Sequence, residues 1–120
     1  MNLTIDSQSN GICHMSVNGR ISQTTSDQTN DPLVQLLGEA NYNQSILLSL
    51  ENTEFIDSSG IGWLLSVNQR IRAAGGQLVL HSAPADVQQV FGLMKLDKVL
   101  RIVESADAAS HALEETSSDG

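Results

Sequence analysis

Two apolar runs of strand length, SILLSL at 45–50 and QLVLHS at 77–82, flank a segment whose apolar residues recur at helical period and which stops at Gly75-Gly76. Runs this short and this apolar read as strands covered on at least one face. A strand, a helix and a strand in succession are joined by a crossover connection, which sets the strands side by side in one sheet. That unit commits the chain to an α/β fold, and the remaining segments have to be added around it.

Residues 2–6 (NLTID) and 12–17 (ICHMSV) alternate as strands do, and Asn10-Gly11 between them is a strong hairpin signal. Pro32 suits the first turn of a helix capped by Asn30 or Asp31, with Leu33, Val34, Leu36 and Leu37 as its apolar stripe. Residues 58–74 form the long helix, with Arg70 and Arg72 placed to complement its C-terminal dipole. Pro84 opens a short helix whose Val87, Val90, Phe91 and Met94 face inward, and KVLRIV at 98–103 is a further strand. Ser105 can cap a last helix that ends near Glu115. The order β-β-α-β-α-β-α-β-α predicts a mixed sheet of four to five strands with about four helices, in one domain over 1–115 followed by a flexible tail at 116–120.

Charge narrows the range of partners. Six basic residues against fourteen acidic ones give a net charge of -8, which opposes a nonspecific hold on nucleic-acid phosphates. No apolar stretch approaches the roughly 18 residues that span a bilayer, and the start of the chain lacks a signal-peptide pattern, so a cytoplasmic protein without membrane contact is expected. Cys13 alternates with Met15 and Val17 and reads as a small core residue. His14, His81 and His111 are scattered, so neither a metal nor a cofactor is expected.

The chemistry concentrates in FIDSSGIG, residues 55–62. With about 100° of rotation per residue from Ser58, the positions Gly60, Leu64, Val67 and Ile71 fall on one side of the helix and must be buried. Ser58, Gly62, Ser66, Gln69 and Ala73 fall on the other. Ser58 is therefore expected to be exposed at the mouth of the helix, above a face of small residues that another protein could approach closely. Ile61 and Leu65 at its edge could add apolar contact, and Trp63 is expected in the core. Read from the residues alone, the favoured alternative is that Asp57 or Ser58 is a plain N-cap, accepting a backbone N–H from the first turn.

The strand SILLSL, the link ENTEFIDSSGIGWLL, the helix stop AAGGQLVLHSAP and the segment VQQVFGLMKLDKVLRIVES together resemble the STAS superfamily, specifically its single-domain bacterial anti-sigma factor antagonists. The resemblance covers about residues 11–113 and is most specific at DSSG, between strand and helix. It implies a STAS fold and a partner switch. Ser58 would be phosphorylated by a protein that is both a serine kinase and an anti-sigma factor, with Asp57, Ser59 and Gly60 as supporting residues. Unphosphorylated protein would bind that kinase and free the sigma factor, and a PP2C-type phosphatase would reset the system.

In one respect the sequence departs from such antagonists. They carry an acidic residue just past the glycine that ends the second strand, whereas here Gly19-Arg20-Ile21 leads to Ser22, in a segment of hydroxyls and amides. Ser22 therefore joins Ile61, Gly62, Leu65, Ser66 and Gln69 as an expected partner-binding residue. An enzyme is not expected: Ile56 stands where a nucleophile elbow needs glycine, Gly60-x-Gly62 is too short for a dinucleotide fingerprint, and no phosphate loop is present. The alternative function is a STAS adaptor, not phosphorylated, in a lipid-trafficking, transporter or stressosome complex. As to assembly, the expectation is a monomer or a weak homodimer.

Overall fold

The computed structural model describes residues 2–9, 11–21, 32–38 and 42–118. Strands β1 (Asn2–Ser9) and β2 (Ile12–Ile21) form an antiparallel hairpin whose last pair is Ser9 with Ile12, as the Asn-Gly signal predicts. Helix α1 (Pro32–Leu37) precedes β3 (Ser45–Ile56), α2 (Ser58–Ala73), β4 (Gln77–His81) and α3 (Ala85–Leu93). A 3-10 turn (Leu96–Lys98), β5 (Arg101–Val103) and α4 (Ala106–Ser118) complete the chain order.

Five strands lie in the order β1-β2-β3-β4-β5, and every pairing after the first is parallel. Mixed topology follows from connection length. The hairpin needs two residues, whereas each later strand is reached through a segment containing a helix. Alternation then sorts the side chains. Cys13, Met15 and Val17 of β2, Ile46, Leu48 and Leu50 of β3, and Leu78 and Leu80 of β4 join one large core with Leu33 of α1, Leu64 and Ile71 of α2, and Phe91 of α3. The opposite face carries a small cluster in which Leu47 and Val79 meet Ala109 and Leu113 of α4. Cys13 is fully buried, as expected, and burial pushes its thiol pKa up, with Asp6 adding to the effect.

The end of α2 explains Gly75-Gly76. The Gly76 N–H bonds the Ile71 carbonyl at 2.9 Å and the Gly75 N–H bonds the Arg72 carbonyl at 3.0 Å, a Schellman closure that places Gly75 at φ 89°. Any side chain at that φ is strained.

Three expectations need correction. KVLRIV does not run as one strand: residues 96–98 form the 3-10 turn and β5 begins only at Arg101. The cause is Lys95, at φ 57°, which turns the chain so that Leu96 and Leu100 both reach the core. Met94 is 58 % exposed, because α3 ends at Leu93 and the helical period no longer applies one residue later. Helix α4 continues past Glu115 to Ser118, since Thr116, Ser117 and Ser118 include no helix breaker.

Candidate functional site

Strands β2 and β3 end side by side, with Arg20 opposite Phe55 and Ile21 opposite Ile56. The chain then turns through Asp57 into α2, and the Asp57 N–H donates to the Ile21 carbonyl at 3.3 Å. Asp57 itself has extended backbone angles, φ -109° and ψ 179°, as an N-cap should. Its carboxylate accepts from the Gly60 N–H at 2.9 Å and from the Ser59 hydroxyl at 2.6 Å. Those two hydrogen bonds, the Ser59 hydroxyl first, hold the Asp57 carboxyl below its ordinary pKa, and Arg20 pulls weakly in the same direction.

The two serines thus occupy different environments. Both are exposed, but Ser59 donates its hydroxyl into the cap, while Ser58 is the first residue of the helix. The first turn of a helix presents backbone N–H groups without intrahelical partners, so negative charge on Ser58 would be tolerated within this protein.

Gly60 is buried, and a Cβ there would collide with the Ile21 carbonyl, so the helix start can lie against the end of β2 only with glycine at this position. Gly62 is different: it is exposed, and a Cβ there would meet nothing within 4 Å. Its own fold does not require glycine.

Below Ser58 the predicted faces largely recur. Gly60, Leu64, Val67, Ile71 and Trp63 are buried, Gly62, Gln69 and Ala73 are exposed, and Ser66 and Leu65 are half-buried. Ile61 departs from the expectation of an exposed edge: it is 9 % exposed and packs into the large core. The close approach that Gly60 allows brings the first turn down onto the sheet, which draws Ile61 inward. Ser22 lies outside the described residues.

The sequence pattern does not reveal what lies at the sheet end beside the turn into α2. The Arg20 guanidinium stacks over the Phe55 ring at 5.1 Å from its centroid, and Phe55 remains 47 % exposed. Strict alternation does not find them, because it breaks after Leu50: Thr53 is buried while Asn52 and Glu54 are exposed, where the register of β3 against β2 shifts. An exposed aromatic ring under a guanidinium, two residues before Asp57, extends the accessible surface from the helix mouth onto the sheet end.

The histidines take no part in this arrangement. His81 is buried on β4 and shares a 2.9 Å hydrogen bond with Ser82 Oγ, and burial, with His14 adding to it and Glu51 opposing, pushes its pKa down. Among the described residues no group of three or more His, Cys, Asp or Glu side chains is arranged to hold a metal ion. No helix among them is long and apolar enough to cross a membrane.

A parallel sheet extended by a hairpin, with a capped Asp-Ser-Ser-Gly turn opening the helix after its central strand, defines a class that the comparisons name. Residues 5–109 match the STAS domain, and the chain belongs to that family. It is 27 % identical to the anti-sigma F factor antagonist of Paenibacillus polymyxa over 115 residues, 95 % of this chain and 97 % of the relative. An anti-sigma factor antagonist from Mycobacterium paratuberculosis superposes with a TM-score of 0.71 at 21 % identity, covering 94 % of this chain and 95 % of the other. The Bacillus cell fate determinant SpoIIAA, solved in unphosphorylated and phosphorylated forms, superposes with TM-scores of 0.63 and 0.64 at 15 % and 16 % identity. The two comparisons cover 96 % of this chain, and 97 % and 99 % of SpoIIAA. These structural likenesses carry the fold.

Proposed function

We propose that this chain is an anti-sigma factor antagonist that works as a phosphorylation-controlled partner switch. In its unphosphorylated form the mouth of α2 docks on an anti-sigma factor that is also a serine kinase, and the sigma factor is released. The kinase transfers the terminal phosphoryl group of ATP to Ser58 Oγ, ADP leaves, and the modified protein lets go. A PP2C-type phosphatase hydrolyses the phosphoserine. Action on such partners places the protein in the cytoplasm.

The observation that carries this reading is the division between the serines: Ser59 is tied to Asp57, and Ser58 is exposed on the capped first turn. The names of the relatives support it, as does the existence of SpoIIAA in a phosphorylated form. The physical logic is electrostatic. Phosphate adds about -1.5 to -2 charges at neutral pH, which the free helix end accommodates. At a docked surface the same charge must lose its water beside the Asp57 carboxylate. Gly62, Ser66 and Gln69 below Ser58, with the half-buried Leu65, form the remainder of the docking face.

Incubation with the cognate kinase and ATP, followed by phosphopeptide mass spectrometry, should place the added mass on Ser58. Ser58→Ala should bind the kinase constitutively, and Ser58→Asp should weaken binding by about tenfold or more. Equal affinity of the two variants would reject a charge-driven switch. Recovery of this protein in a membrane ATPase complex without any kinase would instead favour the adaptor.

A further inference from the structure

The chain has two lysines, Lys95 and Lys98, and both stand exposed in residues 93–99, which lead from the end of α3 toward β5. Leu93, Met94 and Val99 in the same stretch are 75 %, 58 % and 55 % exposed, three of the five large apolar residues exposed among the described residues. Backbone bonds hold the stretch in a compact turn. The Lys98 N–H donates to the Lys95 carbonyl at 3.3 Å and the Val99 N–H to the Leu96 carbonyl at 3.0 Å, while Leu96 and Leu100 anchor the turn in the large core. The exposed apolar side chains and the two ammonium groups therefore share one patch of surface.

We infer that this patch docks an acidic amphipathic helix of a protein partner, with apolar residues against Leu93, Met94 and Val99 and carboxylates against Lys95 and Lys98. The fold makes no use of the lysines: neither ammonium group has an ion pair or hydrogen bond among the described residues. Lys95 is also a costly choice. It holds φ 57°, the left-handed conformation that glycine takes freely and a side chain does not, so the turn by itself calls for glycine. Burying three exposed apolar side chains is the gain a partner offers, and the unbranched Met94 can adapt to it.

Charge selects the occupant. Between Asp86 and Glu104 the sequence has one carboxylate, Asp97, in a chain of net charge -8, so an acidic partner meets less repulsion at this patch than elsewhere. A second copy in a symmetric contact would set lysine against lysine and bring together two charges of -8. An anionic membrane would repel the same net charge against only two lysines, where segments held on such surfaces gather about 4–8 basic residues. An amphipathic helix carries apolar residues at i, i+3 and i+4 with acids beside them, which matches both halves of the patch. Val99 and Leu100 lead into the start of β5, which runs parallel to β4 and β3, whereas Ser58 follows the end of β3. The patch thus lies toward the other end of the sheet, and its occupancy does not depend on the partner switch at Ser58.

The test is a 1H–15N correlation titration of the full chain with a synthetic amphipathic helix of about 15 residues, leucines on one face and glutamates on the other. The controls are a scrambled peptide of the same composition, a peptide with lysine in place of glutamate, vesicles containing phosphatidylglycerol, and a dilution series without peptide. Saturable shifts confined to the amides of residues 92–100 are expected with the acidic helix, weakened by added salt, while the Ser58 amide stays unmoved. The double variant Leu93→Ser/Met94→Ser, on exposed positions, should weaken binding by at least about tenfold. Lys95→Gly relaxes the turn, so its melting temperature should hold or rise while the peptide binds several-fold more weakly, a split that a purely structural lysine would not produce. Equal response to the scrambled or lysine peptide, no saturable shift at residues 92–100, or unaltered affinity of these variants overturns the proposal. Shifts of the same amides with vesicles alone, or on concentrating the protein alone, overturn it in favour of a membrane or a second copy.

Discussion

Ser59 Oγ donates to Asp57 at 2.6 Å and Ser58 stands exposed one residue earlier, so adjacent hydroxyls differ in whether their proton is already engaged. Asp57 is the residue whose ionisation maintains that difference. Asn caps a helix about as well as Asp, so Asp57→Asn keeps the cap and removes the charge. Because the folded carboxyl sits below its reference value of 3.8, the stability it adds is fully present above that pH. It is lost as pH falls through the lower folded value. Wild type should therefore melt higher than Asp57→Asn at about pH 7, and the gap should close toward about pH 3. Thermal melts across that range decide it, and a constant gap would uncouple Asp57 ionisation from folding. His81 obeys the other rule for a depressed pKa. The unfolded imidazole takes a proton near its reference 6.5 while the buried one resists, so stability is full above 6.5 and declines as pH falls below it. His81→Gln should flatten the melting temperature in that window, and an undiminished decline in the variant would assign it to other groups.

Within helix α2 two glycines of similar sequence context carry opposite structural demands. Gly60→Ala drives a Cβ into the Ile21 carbonyl and should cost about 1–3 kcal/mol or more. Gly62→Ala meets open space and gains helix propensity, so it should stabilise the isolated protein by up to about 1 kcal/mol. If the small face serves docking, the same substitution weakens kinase binding. Denaturant midpoints together with a binding isotherm separate the two effects, and a more stable variant with unchanged affinity would remove Gly62 from the interface. This helix was the most legible element in the sequence: the period that exposes Ser58 and buries Leu64 and Ile71 is local, and its cap and stop use residues with one dominant role. Elsewhere the decisive interactions are not local. The positive φ of Lys95 that shortens β5 has no composition cue, and Ile61 moves inward only because Gly60 meets a strand about forty positions earlier in the chain. Arg20 and Phe55 became neighbours through strand register, which spacing along the sequence does not encode.

On the scale of the molecule the sheet is covered unequally. Helices α1, α2 and α3 contribute to one extensive core, whereas α4 closes the other face through Ala109 and Leu113 on Leu47 and Val79. Apolar burial sets most of the stability, so the two sides should unfold at different free energies. Leu64, fully buried, should cost about 3–5 kcal/mol of global stability when changed to Ala. Leu113→Ala, in the smaller cluster, should cost nearer about 2 kcal/mol, with its effect concentrated on the opening of α4. Native-state hydrogen exchange at rising urea distinguishes these outcomes by which amides respond. Amides of α4 should exchange through an opening of lower energy than those of α2 and β3, and Leu113→Ala should accelerate the former while leaving the latter protected. The mouth of α2 rests on the large core through Ile61 and through Gly60 against Ile21, so the proposed kinase binding should survive Leu113→Ala with little change in affinity. If α4, α2 and β3 exchange through one common opening, the two faces form a single cooperative unit, and substitutions beneath α4 will reach Ser58 as well.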